Sequence, residues 1–102
     1  MASYTGKIAV HETLTETVAD TITLTGFGNS VTVVNRGGAN EIYFTVGYVN
    51  SPPTAAVATA NDNFVLPEAV CSLTVDAQSG GGNVIVSINS AGNAEYSVEL
   101  LP

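Results

Sequence analysis

The 102-residue sequence predicts an all-β fold: an antiparallel sandwich of about eight short strands, with jelly-roll-like or immunoglobulin-like connections. Three observations carry this. Apolar residues recur at every second position in short runs, the period of a strand with one buried face. Clusters rich in Gly, Pro and Asn separate those runs at intervals of roughly 8–12 residues. No stretch of useful length carries a helical period.

From Leu14 the even positions read Leu14, Glu16, Val18, Asp20, Ile22 and Leu24, while Thr13, Thr15, Thr17, Ala19, Thr21, Thr23 and Thr25 fill the odd ones. A threonine stripe behind an intermittently apolar one suits a half-buried strand, because β-branched side chains fit the pleat. Glu16 and Asp20 interrupt the apolar stripe, which divides the region into strands near Glu12–Val18 and Asp20–Leu24. Gly26-Phe27-Gly28-Asn29 then turns the chain into a third strand, Ser30–Asn35. Arg36-Gly37-Gly38-Ala39-Asn40 reads as a hairpin turn, since paired glycines accept the positive φ of tight turns. Its partner is Glu41–Val46, with Ile42, Phe44 and Val46 on one face and Tyr43 on the other.

Residues 47–62 are the least regular, because Pro52-Pro53 cannot continue a ladder. A loop of this length is expected to contact a neighbour. Strands follow at Asn63–Leu66, Val70–Val75, Val84–Ile88 and Glu95–Leu100, separated by Pro67-Glu68, the glycine run 80–82 and Ser90–Asn93. The expected interior is Ile22, Leu24, Val33, Ile42, Phe44, Val46, Leu66, Leu73, Val75, Val86, Ile88 and Val98. Residues 1–12 lack this patterning and read as a polar N-terminal arm; residues 13–102 read as a single sandwich domain.

Composition narrows function. Nine acidic residues face only Lys7 and Arg36, for a net charge of −7, which disfavours nucleic acid and anionic membranes as partners. The first residues lack the apolar stretch of a secretory signal, and no apolar run approaches bilayer length, so synthesis in a cytosol is expected. Cys71 is the single cysteine, flanked by Val70, Leu73 and Val75, and reads as a buried core thiol.

Candidate sites are few. His11 and Glu12 are neighbours in a strand, so their side chains point to opposite faces and cannot chelate together. Asn61-Asp62-Asn63 with Glu68 offers too few carboxylates for calcium. Gly26-Phe27-Gly28 and Gly80-Gly81-Gly82 lack the Lys and Ser/Thr of a phosphate loop. Tyr4, Tyr43, Tyr48 and Tyr96 could form a sugar-stacking platform, although two lie inside strands and tryptophan is absent. Arg36, at a turn, suits an acidic neighbour, a subunit boundary or a solvated turn position. The expectation is therefore no catalytic, cofactor-binding or metal-ligating residues, and no enzyme.

Val31–Val46, with its valine strand, Asn35-Arg36-Gly37 turn and Ile42-Tyr43-Phe44 strand, resembles small β-sandwich virion proteins of tailed bacteriophages, of the head-decoration type. The same holds for Val84–Val98, which ends Ser90-Ala91-Gly92-Asn93-Ala94-Glu95-Tyr96-Ser97-Val98. The likeness runs roughly from Thr13 to Leu100. It implies a structural protein, made in the bacterial host cytoplasm, that stabilises the capsid by binding the assembled head. Its implied partners are the major capsid protein and itself, as a homotrimer, at the virion surface. Such a protein stabilises the state it binds by mass action, with avidity from several contacts, and residues 1–11 could add to an exposed sheet edge. The alternatives are a head fibre or tail accessory protein, or a non-catalytic carbohydrate- or protein-binding sandwich module.

Overall fold

Alternating side chains produce nine strands in a computed structural model that describes residues 3–14, 18–26, 28–53, 55–56, 63–77 and 83–102. These are β1 (Ser3–Lys7), β2 (Ala9–Leu14), β3 (Asp20–Thr25), β4 (Ser30–Asn35), β5 (Ile42–Tyr48), β6 (Phe64–Leu66), β7 (Cys71–Asp76), β8 (Asn83–Ser90) and β9 (Ala94–Leu101). No helix occurs among the described residues. The inner rows follow the period: Ile22 and Leu24 of β3, Val31 and Val33 of β4, Val84, Val86 and Ile88 of β8, and Tyr96, Val98 and Leu100 of β9 are buried.

The strands form a five-stranded sheet in the order β1-β3-β8-β5-β6 and a four-stranded sheet in the order β2-β9-β4-β7. Strands β2 to β9 therefore have jelly-roll pairing, which decides between the two expected connection types. β1 is added parallel to β3; every other pairing is antiparallel. Only β5 and β6 are successive strands of one sheet, and all other connections cross between layers. All twelve expected interior residues lie in the core or pack against it, with Val46, Leu73 and Val75 partly buried. Burial extends further to Val10, Leu14, Val31, Val84, Ala94, Tyr96 and Leu100.

Several expectations are corrected. From residue 3 onward, the expected polar arm of residues 1–12 is instead two edge strands, one in each sheet: Tyr4 pairs with Ile22 and Val10 with Val98. Its inner row is Val10, Glu12, Leu14, and the carboxylate in the middle hides the apolar period. The strand expected at Glu12–Val18 begins earlier, at Ala9, and residues 15–17 lie outside the described set.

The Arg36–Asn40 turn is not a hairpin. β4 and β5 lie in different sheets, and the turn carries the chain from one layer to the other. Gly38 does take the positive φ (71°), but it serves a corner pinned from inside. Fully buried Asn35 donates to the carbonyls of Asn40 (2.9 Å) and Pro67 (3.1 Å) and accepts from the Gly38 amide at 2.9 Å. Each hydrogen-bonding atom of this buried amide is used at the corner, so the corner geometry is specified by one side chain.

The described part of the 47–62 segment has partners within the domain. Tyr48 and Ser51 exchange backbone hydrogen bonds of 2.9 and 3.0 Å, which folds the chain back over the five-stranded sheet. There the Ala56 amide donates to Ser87 Oγ (2.9 Å) and its carbonyl accepts from Asn89 Nδ2 (3.1 Å). Residues 48–53 and 55–56 thus act as a strap on the outer face. Gly47 permits it, because a Cβ there would lie 2.5 Å from Pro53 N. Cys71 faces inward, as expected, but sits half-buried on edge strand β7.

Candidate binding site

β1 and β2 are the edge strands of the two sheets on one flank of the sandwich, and their inward side chains meet across its open mouth. Between them runs a groove of about 380 Å³, lined by residues 3–5 of β1 and 9–12 of β2. Tyr4 and Glu12 face each other here. The Glu12 carboxylate accepts from the Tyr4 hydroxyl, and partial burial, then the charges of Glu12 and Asp20, hold the phenol above its usual value.

Behind the groove lies a buried polar pair. Tyr96 Oη donates to Asp20 Oδ2 at 2.9 Å, with Tyr96 fully buried and Asp20 4% exposed. Burial, and next the hydrogen bond to Asp20, push the Tyr96 phenol well above its usual range. Glu12 and Tyr96 are register partners on β2 and β9, so the two pairs form one polar seam from the mouth inward.

His11 points to the opposite side of β2, onto the outer face of the four-stranded sheet. Its Nδ1 lies 2.6 Å from Ser97 Oγ, its register partner on β9. A serine beside an imidazole is the start of a nucleophile–base pair, but Ser97 is 3% exposed beneath the ring. That burial limits access to the oxygen, and the amides of β2 and β9 around it pair within the sheet. This face otherwise presents hydroxyls, including Thr32 and Thr74 in contact at 2.7 Å.

The remaining candidates are dispersed. Arg36 lies across the strands of its own sheet: Nε donates to the Tyr96 carbonyl (3.1 Å), Nη2 to the Glu12 carbonyl (3.4 Å), and Nη1 is 3.8 Å from Glu95. The acidic neighbour expected for this residue is Glu95. Tyr43 is buried and donates to Glu41 at 2.8 Å; that bond, before burial, raises its pKa. Tyr48, at 39%, is the most exposed of the four tyrosines, so they form no shared platform. Among the described residues no group of three or more His, Cys, Asp or Glu side chains could hold a metal ion. The Asn61–Asp62 part of the calcium candidate and the glycine run 80–82 lie outside the described residues, as does Phe27.

The seam was absent from the sequence expectations. One signal pointed to it: Asp20 stands in the inner register of β3, and a carboxylate there requires a buried partner. The His11–Ser97 contact carries no local signal, because its two residues meet only through the register of β2 and β9.

No family model matches the chain, and no curated protein sequence matches it. Solved structures do share its fold. A carbohydrate-binding module from a sugar cane soil metagenome, solved with cellopentaose and a gadolinium ion, superposes with a TM-score of 0.60 at 10% identity, over 98% of this chain and 90% of that one. A periplasmic inhibitor of g-type lysozyme from Aeromonas hydrophila gives 0.57 at 11% identity, over 95% and 92%. The pre-peptidase C-terminal domain of a Bacillus anthracis collagenase gives 0.53 at 14% identity, over 97% and 93%. The likeness is one of fold.

Proposed function

We propose that this chain is a non-catalytic binding module and that its ligand is a protein surface. The observation that carries the reading is the division of labour on β2. Its two titratable side chains leave on opposite faces, His11 to Ser97 and Glu12 to Tyr4, so the imidazole and the carboxylate are not aimed at one point. What the groove offers is a carboxylate, a phenol and two free sheet edges, a set suited to recognition. The fold neighbours include a sugar-binding module and a lysozyme inhibitor, and so are compatible with either a sugar or a protein ligand. The tyrosines favour protein. Tyr43 and Tyr96 are buried, so among the described residues the tyrosines present no row of exposed rings to a sugar chain.

The assembled head of a tailed phage is our specific candidate for that surface, on the strength of the resemblance over Val31–Val46 and Val84–Val98. In that role the module would act as a capsid-stabilising decoration protein. Cosedimentation tests both levels. The purified chain is expected to pellet with expanded heads and not with dissociated capsid subunits, and to pass unretained over insoluble cellulose and immobilised oligosaccharides. Retention on a polysaccharide that is lost in a Tyr48→Ala variant would transfer the reading to sugar binding. Binding to another protein but not to heads would keep the module and remove the phage.

A further inference from the structure

We propose that β7 is a self-association strand: two copies pair antiparallel through their free β7 edges, about a two-fold axis at Leu73, and join their four-stranded sheets into one of eight strands. This rests on the opposite flank from the groove and does not depend on its ligand.

The four edge strands of the sandwich are unequal. Exposed edges of monomeric proteins are protected by bulges, charges, inward carboxylates, proline or shortness. β1 has a register break between Thr5 and Lys7, with Gly6 at φ 74°, and ends on a lysine. β2 carries the inward Glu12. β6 is three residues long and runs into Pro67. β7 has none of these: its six residues hold an unbroken register with β4, and its one charge is Asp76, at the end.

Its backbone is phased for pairing. Ala77 N donates to Asn29 O at 3.0 Å, so the odd positions of the strand bond toward β4. Alternation then turns the amides and carbonyls of Ser72 and Thr74 outward. Among the described residues no strand pairs with that edge. The inner row Cys71, Leu73 and Val75 is only partly covered, and Phe64 on the facing sheet is 45% exposed although it stacks on Phe44 at 5.2 Å.

The occupant that fits is a second copy. The chain carries a net charge of −7, yet Glu68 is the only charged residue from Asn63 to Val75. Here two acidic molecules approach with the least repulsion. An axis at Leu73 sets Ser72 opposite Thr74 of the second copy as a hydrogen-bonded pair and Cys71 opposite Val75. It keeps the two Asp76 carboxylates at opposite ends. Such an isologous pairing consumes the edge in both copies and closes at two, distinct from the homotrimer implied by the phage resemblance.

Sedimentation equilibrium of the whole chain should show a reversible dimer, and Ser72→Lys, at an exposed outward position, should weaken it by roughly tenfold or more while leaving the melting temperature of the dilute monomer in place. In a Cys71→Ser background, Leu73→Cys should oxidise to a covalent dimer, because facing residues of a non-hydrogen-bonded pair have Cα atoms about 4.5 Å apart. Thr13→Cys in the same background should not. A chain that stays monomeric at millimolar concentration, a three-chain particle, or a dimer unaffected by Ser72→Lys would overturn the proposal.

Discussion

Tyr96 and Asp20, 76 positions apart in the chain, are joined by a 2.9 Å hydrogen bond inside the sandwich. Tyr96 comes from the four-stranded sheet and Asp20 from the five-stranded one, so the bond ties the two layers together. A buried carboxylate is costly unless it is hydrogen-bonded, and Tyr96 supplies a donor where the layers meet.

Tyr96→Phe removes that donor and nothing else of size. Loss of one partner from a buried charged group is expected to cost about 1–3 kcal/mol. Urea unfolding should show a lower midpoint with an unchanged slope. A midpoint equal to that of the parent would mean that the bond contributes no net stability.

Alkaline pH should unfold the chain. The folded state holds the protons of Tyr96, Tyr43 and Tyr4 above the ordinary tyrosine value of 10.0. Above that pH the unfolded chain binds fewer protons than the folded one, so stability falls as pH rises; below it the contribution of these groups is fully present. Melting temperatures measured from pH 8 upward should stay level and then drop, and the drop should be shallower in Tyr96→Phe.

Deleting residues 1–11 should damage the fold itself. The deletion removes all of β1 and half of β2, with Tyr4 and Val10, from the flank of both sheets. A fall in melting temperature on the order of 10 °C or more is expected. A truncated chain that melts like the parent would show that these strands are accessory to the core.

Gly47→Ala tests the strap. The new Cβ would meet the backbone nitrogen of Pro53 at 2.5 Å, so the strap must lift or β5 must shift, at a cost of about 1–3 kcal/mol. Hydrogen exchange should then accelerate at Ala56, whose amide is held by Ser87, while amides in β8 keep their protection.

Strand positions and the core were largely legible because both depend on a local period. Ser30–Asn35 could be read to the residue, and Ile42, Phe44 and Val46 could be assigned a face, from alternation alone. The path between the sheets was not legible. Arg36–Asn40 carries glycines that suit a hairpin and a layer crossing equally, and what selects the crossing is Asn35 reaching Pro67, a residue distant in sequence. The N-terminal strands failed for a related reason: Glu12 breaks the apolar row, and its compensation by Tyr4 exists only after two sheets have been laid together. The groove and seam were illegible for the same cause, since each is made from residues brought together by register and by no motif.

The layer-crossing path sets the order in which this protein can assemble. Leu14 finds its ladder partner at Ala94 and Asp20 finds its own at Ile88, so strands made early wait for strands made late. Closing such long loops loses chain entropy before any contact compensates, and folds dominated by distant pairings form in milliseconds to seconds rather than microseconds. A chain still lacking β8 and β9 has a gap inside each sheet, and its β3, β4 and β5 each lack one of their two ladder partners. Folding is therefore a late, concerted event, with β8 and β9 closing both layers at once.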